Sequence, residues 1–463
     1  MWRLFLLWSV LISTVWAEEV NWQEVWNQAE NQGQPTELKV STRGNIRLTL
    51  AAKPGAWAEL LQHLLLPEFR QQTGIEVSLS LLAPERLYSK QKQSLLGPPY
   101  PVDLLTLDAG WVKEWAANGW LLPLESNTQP SHLRLFGVDD KTYAYGFQSF
   151  TLSHFYRQDL FEHPAEKAAF EARYGTALEL PHTTRDFSRL AEFFRRDAGE
   201  ELAGERLESD FYGWSSISGV PEMRFAEMSS LLWSQQQDWL KVESAGVTVL
   251  SNVSQVAGVI KEYRNWLDFA VPQKATRYRD INRDFIQGKA AMMPFAASAF
   301  WYQSTRNMAQ PTMRVGYMSS PGGIAVIGGT AMAVSYATPH PDEARMLADF
   351  LTGFRAQFSY ALVGGMPMSV DVLRSPYFQK PDFKGRFAIF LQVEKELRNW
   401  NTKDNISFYA SSAMYRMTPL IGDIVPRLRM RQSNIELLLL GLRQKLVQTQ
   451  LQHGYHPVIW NKP

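Results

Sequence analysis

The chain contains no cysteine among its 463 residues. A disulfide framework, a thiolate metal site and a lipid-modified N-terminal cysteine are therefore excluded. The chain also has no excess of charge of one sign, because 47 lysines and arginines stand against 46 aspartates and glutamates. Proteins that bind nucleic acid usually carry a basic excess, so this balance argues against a nucleic-acid partner.

The short motifs of common enzymes are missing as well. The sequence has no GxSxG, no HExxH, no P-loop and no GxGxxG pattern. The pattern nearest to a metal site is the pair His453 and His456 in the tail, and without a clear third ligand it favours two surface histidines. We therefore expect no enzymatic activity, no catalytic residue, no cofactor and no metal.

Long apolar runs are rare, and the one that stands out is at the start of the chain. Residues 1–17 combine Arg3 with an apolar run, and the small residues Val15 and Ala17 precede Glu18. This pattern predicts a cleaved secretory signal peptide, because the run is shorter than the about 20 residues of a membrane span. An uncleaved membrane anchor is the alternative. Export without a lipid anchor fits the periplasm of a bacterium with two membranes.

The composition of the chain is that of an ordinary globular protein. Hydrophobic residues make up 45% of the chain and charged residues 20%, and the length allows two or three domains. Aromatic residues are abundant, with 16 Trp, 17 Tyr and 25 Phe, which indicates mainly core packing. Residues 18–44 are polar and predict only a short N-terminal arm.

Strands and helices alternate after this arm. Asn45–Leu50, Ile75–Leu81 and Val102–Leu107 predict strands, and segments of helical periodicity lie between and after them. This order predicts an α/β fold whose mainly parallel sheet is flanked by helices. Ligands of such sheets bind outside the carboxyl ends of the strands, so we expect a site at the loops 51–57 and 108–111.

Two later stretches predict connections between halves of the chain. Tyr143–Tyr156 is a long alternating strand, and a strand that links two halves can serve as a hinge. Gly288–Leu351 predicts a helix start at GKAAMM, a strand containing Gly328 and Gly329, and a final helix. The glycine pair would permit chain bending or the close approach of a ligand.

Aromatic and polar residues near the predicted strand ends are the first candidates for a binding site. They are Trp57, Asp108, Trp111, Gln148, Trp214 and Trp301. Flat aromatic faces suit the apolar faces of sugar rings, while carboxylates, amides and backbone groups suit their hydroxyls. Core packing is the alternative for each tryptophan, and helix capping is the alternative for Asp108.

Six segments occur in an order that is typical of one family. They are LPEFRQQTGIEVSL, PVDLLTLDAGWVKEWAANGWLLPL, YGFQSFTLSHFYRQDLF, FIQGKAAMMPF, IGGTAMAVSYATPHPDEARMLADFLTG and GGMPMSVDVL. In this order the chain resembles the extracellular solute-binding proteins of ABC importers, family 1, a group that includes maltose- and oligosaccharide-binding proteins. The resemblance covers residues 45–450.

The resemblance implies two α/β lobes that are joined by three crossings and close on a ligand. The crossings would lie near Gly146–Phe150, Ile327–Ala333 and Met366–Val370. The N-terminal lobe would comprise residues 45–147 plus 331–367, and the C-terminal lobe residues 148–330 plus 368–460.

The resemblance also implies the positions of ligand-binding residues. They are Lys53, Trp57, Asp108, Trp111, Gln148, Phe295, Ser298, Gly328, Gly329 and Tyr415. Two departures argue against maltose itself as the ligand. Tyr415 stands where a tryptophan is common, and Pro294–Ala297 replaces the usual Gly-Pro/Ser-Trp.

The expected function is that of a monomeric periplasmic binding protein that captures a sugar or polyol and delivers it to the permease of an ABC importer. A non-sugar solute is one alternative: a polyamine, an anion or a metal complex. A ligand sensor that docks on a membrane receptor is another. An exported enzyme without a known motif is the third.

Overall fold

The structure is a computed structural model. It describes residues 20–36, 38, 46–95, 102–124, 133–138, 141–216, 221–243, 247–272, 283–296, 313–381, 387–401, 408 and 411–459. Across these ranges no helix has both the length and the apolar character that a membrane crossing needs. The predicted signal peptide lies outside the described residues.

Among the described residues, six strands have five or more residues and the others are shorter. In chain order, the strands are β1 (Arg47–Ala52), β2 (Glu76–Leu81), β3 (Leu104–Asp108), β4 (Gly137–Val138), β5 (Lys141–Thr142), β6 (Tyr145–Arg157), β7 (Glu201–Leu202), β8 (Glu205–Arg206), β9 (Tyr212–Trp214), β10 (Leu240–Val242), β11 (Val247–Leu250), β12 (Ala290–Ala296), β13 (Val315–Met318), β14 (Ile327–Val334) and β15 (His456–Ile459).

The helices flank these strands and also form the tail. They are α1 (Trp22–Gln32), α2 (Ala56–Leu60), α3 (Leu66–Thr73), α4 (Pro84–Ser94), α5 (Ala109–Ala117), α6 (Leu133–Phe136), α7 (Gln158–Glu162), α8 (Pro164–Tyr174), α9 (Thr184–Phe193), α10 (Pro221–Ser234), α11 (Val253–Leu267), α12 (Arg283–Ile286), α13 (Pro341–Thr352), α14 (Phe354–Leu362), α15 (Val370–Leu373), α16 (Ala388–Asn401), α17 (Met414–Gly422), α18 (Val425–Leu428) and α19 (Ile435–Gln452). A π-helical turn joins α2 to α3.

One large sheet organises the molecule, with strand order β2-β1-β3-β14-β6-β12-β9 and β13 paired with β6. Strand β1 runs parallel to β2 and β3, and β12 runs parallel to β9. Strands β1–β3 lie at one end of this sheet and β9 and β12 at the other, and we refer to these two ends with their helices as the first and the second lobe. Helices pack on both parts, for example α5 and α13 against β3 and β14, and α16 against β6. The predicted α/β fold is confirmed.

Strand β6 connects the two lobes by changing partners along its length. Residues 145–151 pair antiparallel with β14, whereas residues 152–157 pair with β12 and β13. Ten of the thirteen residues of β6 are buried, because the strand has sheet neighbours on both sides and helices against its faces. The long strand predicted at Tyr143–Tyr156 is therefore found, and it joins both lobes.

The segment GKAAMM does not begin a helix. Ala290–Ala296 forms β12, in which Ala290 and Met293 are fully buried. A short continuous apolar run fits a buried strand as well as a buried helix, and periodicity alone cannot separate them. Here the pairing with β6 decides the conformation, since Met293 lies opposite Phe155.

The N-terminal arm is a helix that packs on the first lobe. Asn21 caps α1 by accepting a hydrogen bond from the backbone of Glu24, and Trp26 is buried against Phe350 with a ring separation of 6.2 Å. The guanidinium of Arg355, on α14, donates to the carbonyl oxygen of Gly33 at 3.0 Å. The arm therefore completes the outer layer of the first lobe.

Candidate functional site

The carboxyl ends of the parallel strands place the first site residues. Asp108 is the last residue of β3 and caps α5, where its Oδ1 accepts a hydrogen bond from the Gly110 amide at 3.0 Å. Lys53 follows β1, and its Nζ lies 5.9 Å from the ring centre of Trp111. Lys53 and Asp108 are half-buried, so both can reach solvent or a ligand.

Strands β14 and β6 place two further polar side chains beside Asp108. In the strand register, Thr330 on β14 lies opposite Asp108 on β3 and also opposite Gln148 on β6. The Thr330 hydroxyl donates to Gln148 Oε1 at 3.3 Å. The third predicted crossing lies beside them, because Ser149 donates its amide to the carbonyl oxygen of Met366 at 2.9 Å. Asp108, Thr330 and Gln148 thus lie side by side on three neighbouring strands.

Gly329 permits the close approach of the crossing strands. Its φ is +148°, and a Cβ atom there would lie 2.2 Å from the carbonyl oxygen of Gln148. Only glycine has access to this backbone geometry without strain. At Gly328 an added Cβ would meet the Phe150 ring at 3.7 Å, an ordinary contact distance. Of the predicted pair, Gly329 is the position that requires glycine.

Aromatic rings from three helices meet above Asp108. Tyr88 on α4 stacks on Tyr415 of α17, with ring centres 5.6 Å apart. Trp111 on α5 contacts both rings edge to face, at 5.1 Å from Tyr88 and 5.7 Å from Tyr415. Trp111 is only 6% exposed, whereas Tyr88 and Tyr415 are half-buried. We call Tyr88, Trp111 and Tyr415 the aromatic cluster.

Charged groups hold this cluster between the two lobes. Arg416 Nη2 lies 2.9 Å from the Tyr88 hydroxyl and 3.2 Å from Glu114 Oε1, and the Tyr88 hydroxyl donates to the same Oε1 at 3.0 Å. Burial and the Glu114 charge raise the pKa of Tyr88 to about 12. Burial, followed by the charge of Asp108, raises the pKa of Tyr415. Both tyrosines therefore carry their protons at neutral pH.

Hydrogen bonds fix the helix that carries Tyr88. The buried Gln91 side chain donates to the Thr106 carbonyl oxygen at 2.8 Å and accepts from the Thr106 amide at 2.9 Å. Because Thr106 lies in the middle of β3, these two bonds hold α4 against the strand that ends at Asp108. Tyr88 therefore has a defined position relative to the site.

Two of the predicted tryptophans lie in the cores instead. Trp57 is 6% exposed and stacks on Phe147 at 4.2 Å in the core of the first lobe. Trp214 has no exposed surface, and its indole N–H donates to the carbonyl oxygen of Trp266 at 2.7 Å. The structure does not bring Trp214 to the site, since its polar group is already satisfied within the core of the second lobe.

The remaining predictions fall partly outside the described residues. Phe295 lies on β12, where its backbone is paired with Ser153. Ser298 and Trp301 lie outside the described residues. His453 places Nδ1 2.9 Å from the carbonyl oxygen of Thr449. Among the residues that the structure covers, no group of three potential metal ligands is present.

Sequence reasoning missed Tyr88, Glu114, Thr330 and Arg416. Tyr88 lies in PERLYSKQKQS, an otherwise polar helical segment, and an aromatic residue there is the one signal that could have been followed. Glu114 and Arg416 read as ordinary charged surface residues. Their role depends on a contact between chain segments that are far apart in sequence, and no local pattern reveals it.

A second cluster of buried titratable groups lies behind β6, away from this site. His154 Nδ1 lies 3.1 Å from the Ser320 hydroxyl, and the Ser320 amide donates to Glu396 Oε1 at 3.1 Å. Burial lowers the pKa of His154 to about 3 and raises the pKa of Glu396 to about 7. Both groups are almost fully buried, so this cluster bears on stability and not on ligand contact.

Comparison with known proteins bears on the family and the fold. The model of the family described as bacterial extracellular solute-binding protein matches residues 55–357. No curated protein matches the chain in sequence.

Solved structures of low sequence identity share the fold. The GacH receptor of Streptomyces glaucescens, solved unliganded and with acarbose, is 15% identical with a TM-score of 0.66, covering 89% of this chain and 100% of that one. A solute-binding protein of an ABC transporter from Agrobacterium radiobacter, in complex with ribitol, is 18% identical with a TM-score of 0.63, covering 91% and 99%. Maltose-bound MalE3 of T. maritima is 19% identical with a TM-score of 0.62, covering 87% and 99%.

Proposed function

Because the chain belongs to the bacterial extracellular solute-binding proteins, we propose that it is the binding component of an ABC importer and that its solute is a neutral sugar or polyol. The observation that carries the proposal is the meeting of aromatic rings and hydrogen-bonding side chains at the junction of the two lobes. Tyr415 offers a partly exposed ring, while Asp108 and Gln148 offer oxygen and nitrogen atoms for hydroxyl groups.

The charges at the junction support a neutral solute. Two cations, Lys53 and Arg416, and three carboxylates, Asp108, Glu114 and Glu222, lie around the aromatic cluster. Arg416 neutralises Glu114, and Asp108 is used to cap α5. Within the part of the chain that the structure describes, the charges around the cluster are therefore not concentrated in one sign that would attract an anion or a polyamine.

The structural relatives support the same class of solute. Proteins that share the fold are bound to ribitol in one case and to maltose in another, which are a polyol and a sugar. In the proposed role, this chain closes its lobes on the solute, and the solute stabilises the closed form because it binds that form more tightly. It acts as a carrier and not as an enzyme.

The division into lobes belongs to the same proposal. Residues 45–147 plus 331–367 would form the N-terminal lobe, and residues 148–330 plus 368–460 the C-terminal lobe. The partner change of β6 near Thr151 supports this division, since the pairing with β14 ends there. Lobe opening would separate Tyr415 from Tyr88 and Trp111 and give a solute access to the site.

Location and partners follow from the proposed role. Residues 1–17 would direct export to the periplasm and be removed there. The closed, loaded monomer would then dock on the permease subunits in the inner membrane. Genes for a permease and an ATPase beside the gene for this chain would support transport, whereas a sensor kinase gene there would support the rival role of a ligand sensor.

A panel of candidate solutes tests the proposal. The mature chain is screened by thermal shift and then by isothermal titration calorimetry against polyols, monosaccharides, disaccharides and oligosaccharides, with spermidine and inorganic phosphate as rivals. We expect a sugar or polyol to raise the melting temperature and to release or take up heat on binding. Binding of spermidine or phosphate alone, or no hit among the carbohydrates, would overturn the sugar assignment.

A further inference from the structure

Three side chains form a direct contact between the lobes. Arg416 comes from α17, which packs on α10 and α19 of the second lobe, whereas Tyr88 and Glu114 come from α4 and α5 of the first. The guanidinium lies 3.2 Å from Glu114 Oε1, 2.9 Å from the Tyr88 hydroxyl, and 5.3 Å from the centre of the Tyr88 ring. One cation thus contacts a carboxylate, a hydroxyl and an aromatic face across the junction. We call this set the interlobe latch.

Because Glu114 is buried, its ion pair with Arg416 affects the free energy of lobe closure. The Glu114 side chain is 7% exposed, and its Oε2 has no hydrogen-bond partner among the residues described. A buried carboxylate is costly unless it is paired, but an opened cleft would return Glu114 to water. Without Arg416, closing the lobes would bury an unpaired charge. Loss of Arg416 should therefore shift the protein towards the open form.

Packing around the latch also favours the closed form. The ring of Tyr415 stacks on Tyr88, and a Cβ atom on Gly110 would lie 3.0 Å from Met414 Cε. The first turn of α17 therefore rests directly on the first turn of α5. All these contacts join side chains of the chain itself, so they favour closure independently of any solute.

We propose that Arg416 is a positioning residue that acts through Glu114 and Tyr88 to hold the lobes closed, and that the latch sets the fraction of closed protein in the absence of solute. When more of the solute-free protein is already closed, less of the binding free energy is spent on closing it. The latch therefore also raises the apparent affinity for a solute. Only this second consequence rests on the proposed function. The effect on the shape of the solute-free protein does not depend on which solute binds.

Small-angle X-ray scattering of the full mature chain without solute tests the latch. Arg416→Ala should increase the radius of gyration, and Glu114→Gln, which keeps the size of the side chain, should do so to a smaller extent. Arg173→Ala is the matched control, because Arg173 pairs with Glu192 and lies 5.1 Å from the Tyr174 ring within the second lobe. It should leave the radius of gyration unchanged.

A charge reversal separates a latch from a general structural role. Arg416→Glu should open the protein, and the double variant Arg416→Glu with Glu114→Arg should restore a radius of gyration near that of the wild type. Circular dichroism and thermal melting check that each variant is folded. For any solute that binds, Arg416→Ala should weaken the affinity roughly tenfold.

Two results would overturn the proposal. One is a folded Arg416→Ala protein whose radius of gyration equals those of the wild type and of Arg173→Ala. The other is a double variant that stays as open as Arg416→Glu alone. A failed carbohydrate screen would count against the sugar assignment only, because the scattering measurement contains no solute.

Discussion

The backbone of Gly329 lies so close to Gln148 that residue 329 has no room for a side chain. A Cβ atom there would lie 2.2 Å from the Gln148 carbonyl oxygen. The contact lies where β14 and β6 cross between the lobes, and the strand register shifts at the next residue. The close pairing of β14 with β6 at this point therefore depends on one glycine.

The first prediction concerns this glycine. Gly329→Ala should lower the free energy of unfolding by about 1–3 kcal/mol or more, because it places a side chain in a strained backbone region and against a carbonyl oxygen. Gly328→Ala is the control, as its Cβ would make only an ordinary contact with Phe150. Urea denaturation measures both. Equal losses at the two positions would contradict the argument.

The second prediction concerns the aromatic cluster. Tyr415→Ala should weaken solute binding by about 1–3 kcal/mol, because one aromatic face would no longer be buried against the solute. Trp111→Ala should weaken it similarly, since Trp111 supports the Tyr415 ring at 5.7 Å. Calorimetry with a solute from the panel provides the measurement.

Trp214 serves as the comparison for that experiment. Its ring is fully buried in the core and its indole N–H is bonded to Trp266. Trp214→Phe should lower the melting temperature while leaving the affinity of the folded protein unchanged. If Trp214→Phe weakened binding as much as Tyr415→Ala does, the loss with Tyr415→Ala would reflect a general disturbance of the fold. Tyr415 would then not be assigned to the site.

The third prediction concerns pH. Burial raises the pKa of Glu396 to about 7 in the folded chain, so the folded state binds its proton more tightly than the unfolded state does. This contribution to stability is present below pH about 4.5 and is lost as the pH rises through about 7. Glu396→Gln, which cannot ionise, should therefore lose less stability than the wild type between pH 5 and 8.

The pKa of His154 is shifted in the opposite direction, so the effect of His154 on stability serves as an internal control. Burial lowers its pKa to about 3, so its contribution is present above pH about 6.5 and is lost as the pH falls towards 3. Glu396→Gln should leave this acid branch of the stability curve unchanged. Denaturant titrations over the pH range reveal both branches, and identical curves for wild type and variant above pH 5 would refute the assignment to Glu396.

The fourth prediction concerns the N-terminal arm. Trp26 is 3% exposed and packs on Phe350, so Trp26→Ala should destabilise the protein by about 3–5 kcal/mol. Trp22→Ala, on the same helix but half-buried, should cost less. Chemical denaturation distinguishes the two. If Trp26→Ala is as stable as the wild type, the arm does not form part of the first lobe's core.

The sequence predicted the sheet well because its signals are local. Strands β1, β2, β3 and β6 begin within two residues of their predicted starts. Alternation of apolar residues marks β1, β2 and β6, and a short, more continuously apolar run marks β3. The prediction was wrong at β12, where a continuous apolar run carries no period. Tertiary pairing with β6 settled its conformation, and that pairing is invisible in a local window.

The site could be predicted only on the side formed by the strand ends. Asp108 and Lys53 follow strands, and the rule for parallel sheets located them. Trp214 also sits at a strand end, yet it points into the core, because side-chain direction depends on what packs against the strand. Arg416 and Glu114 escaped prediction, since their contact depends on the docking of α17 against α5.

The position of β14 has a consequence for the chain during its synthesis. β14 lies between β3 and β6 in the sheet, but it follows β6 only after residues 158–326. At about 5–20 residues per second, that interval lasts roughly 10–30 s on the ribosome. Throughout it, the facing edges of β3 and β6 lack their partner, and open edges invite pairing with other chains. A nascent chain or a fragment that ends before residue 327 would therefore be prone to aggregate.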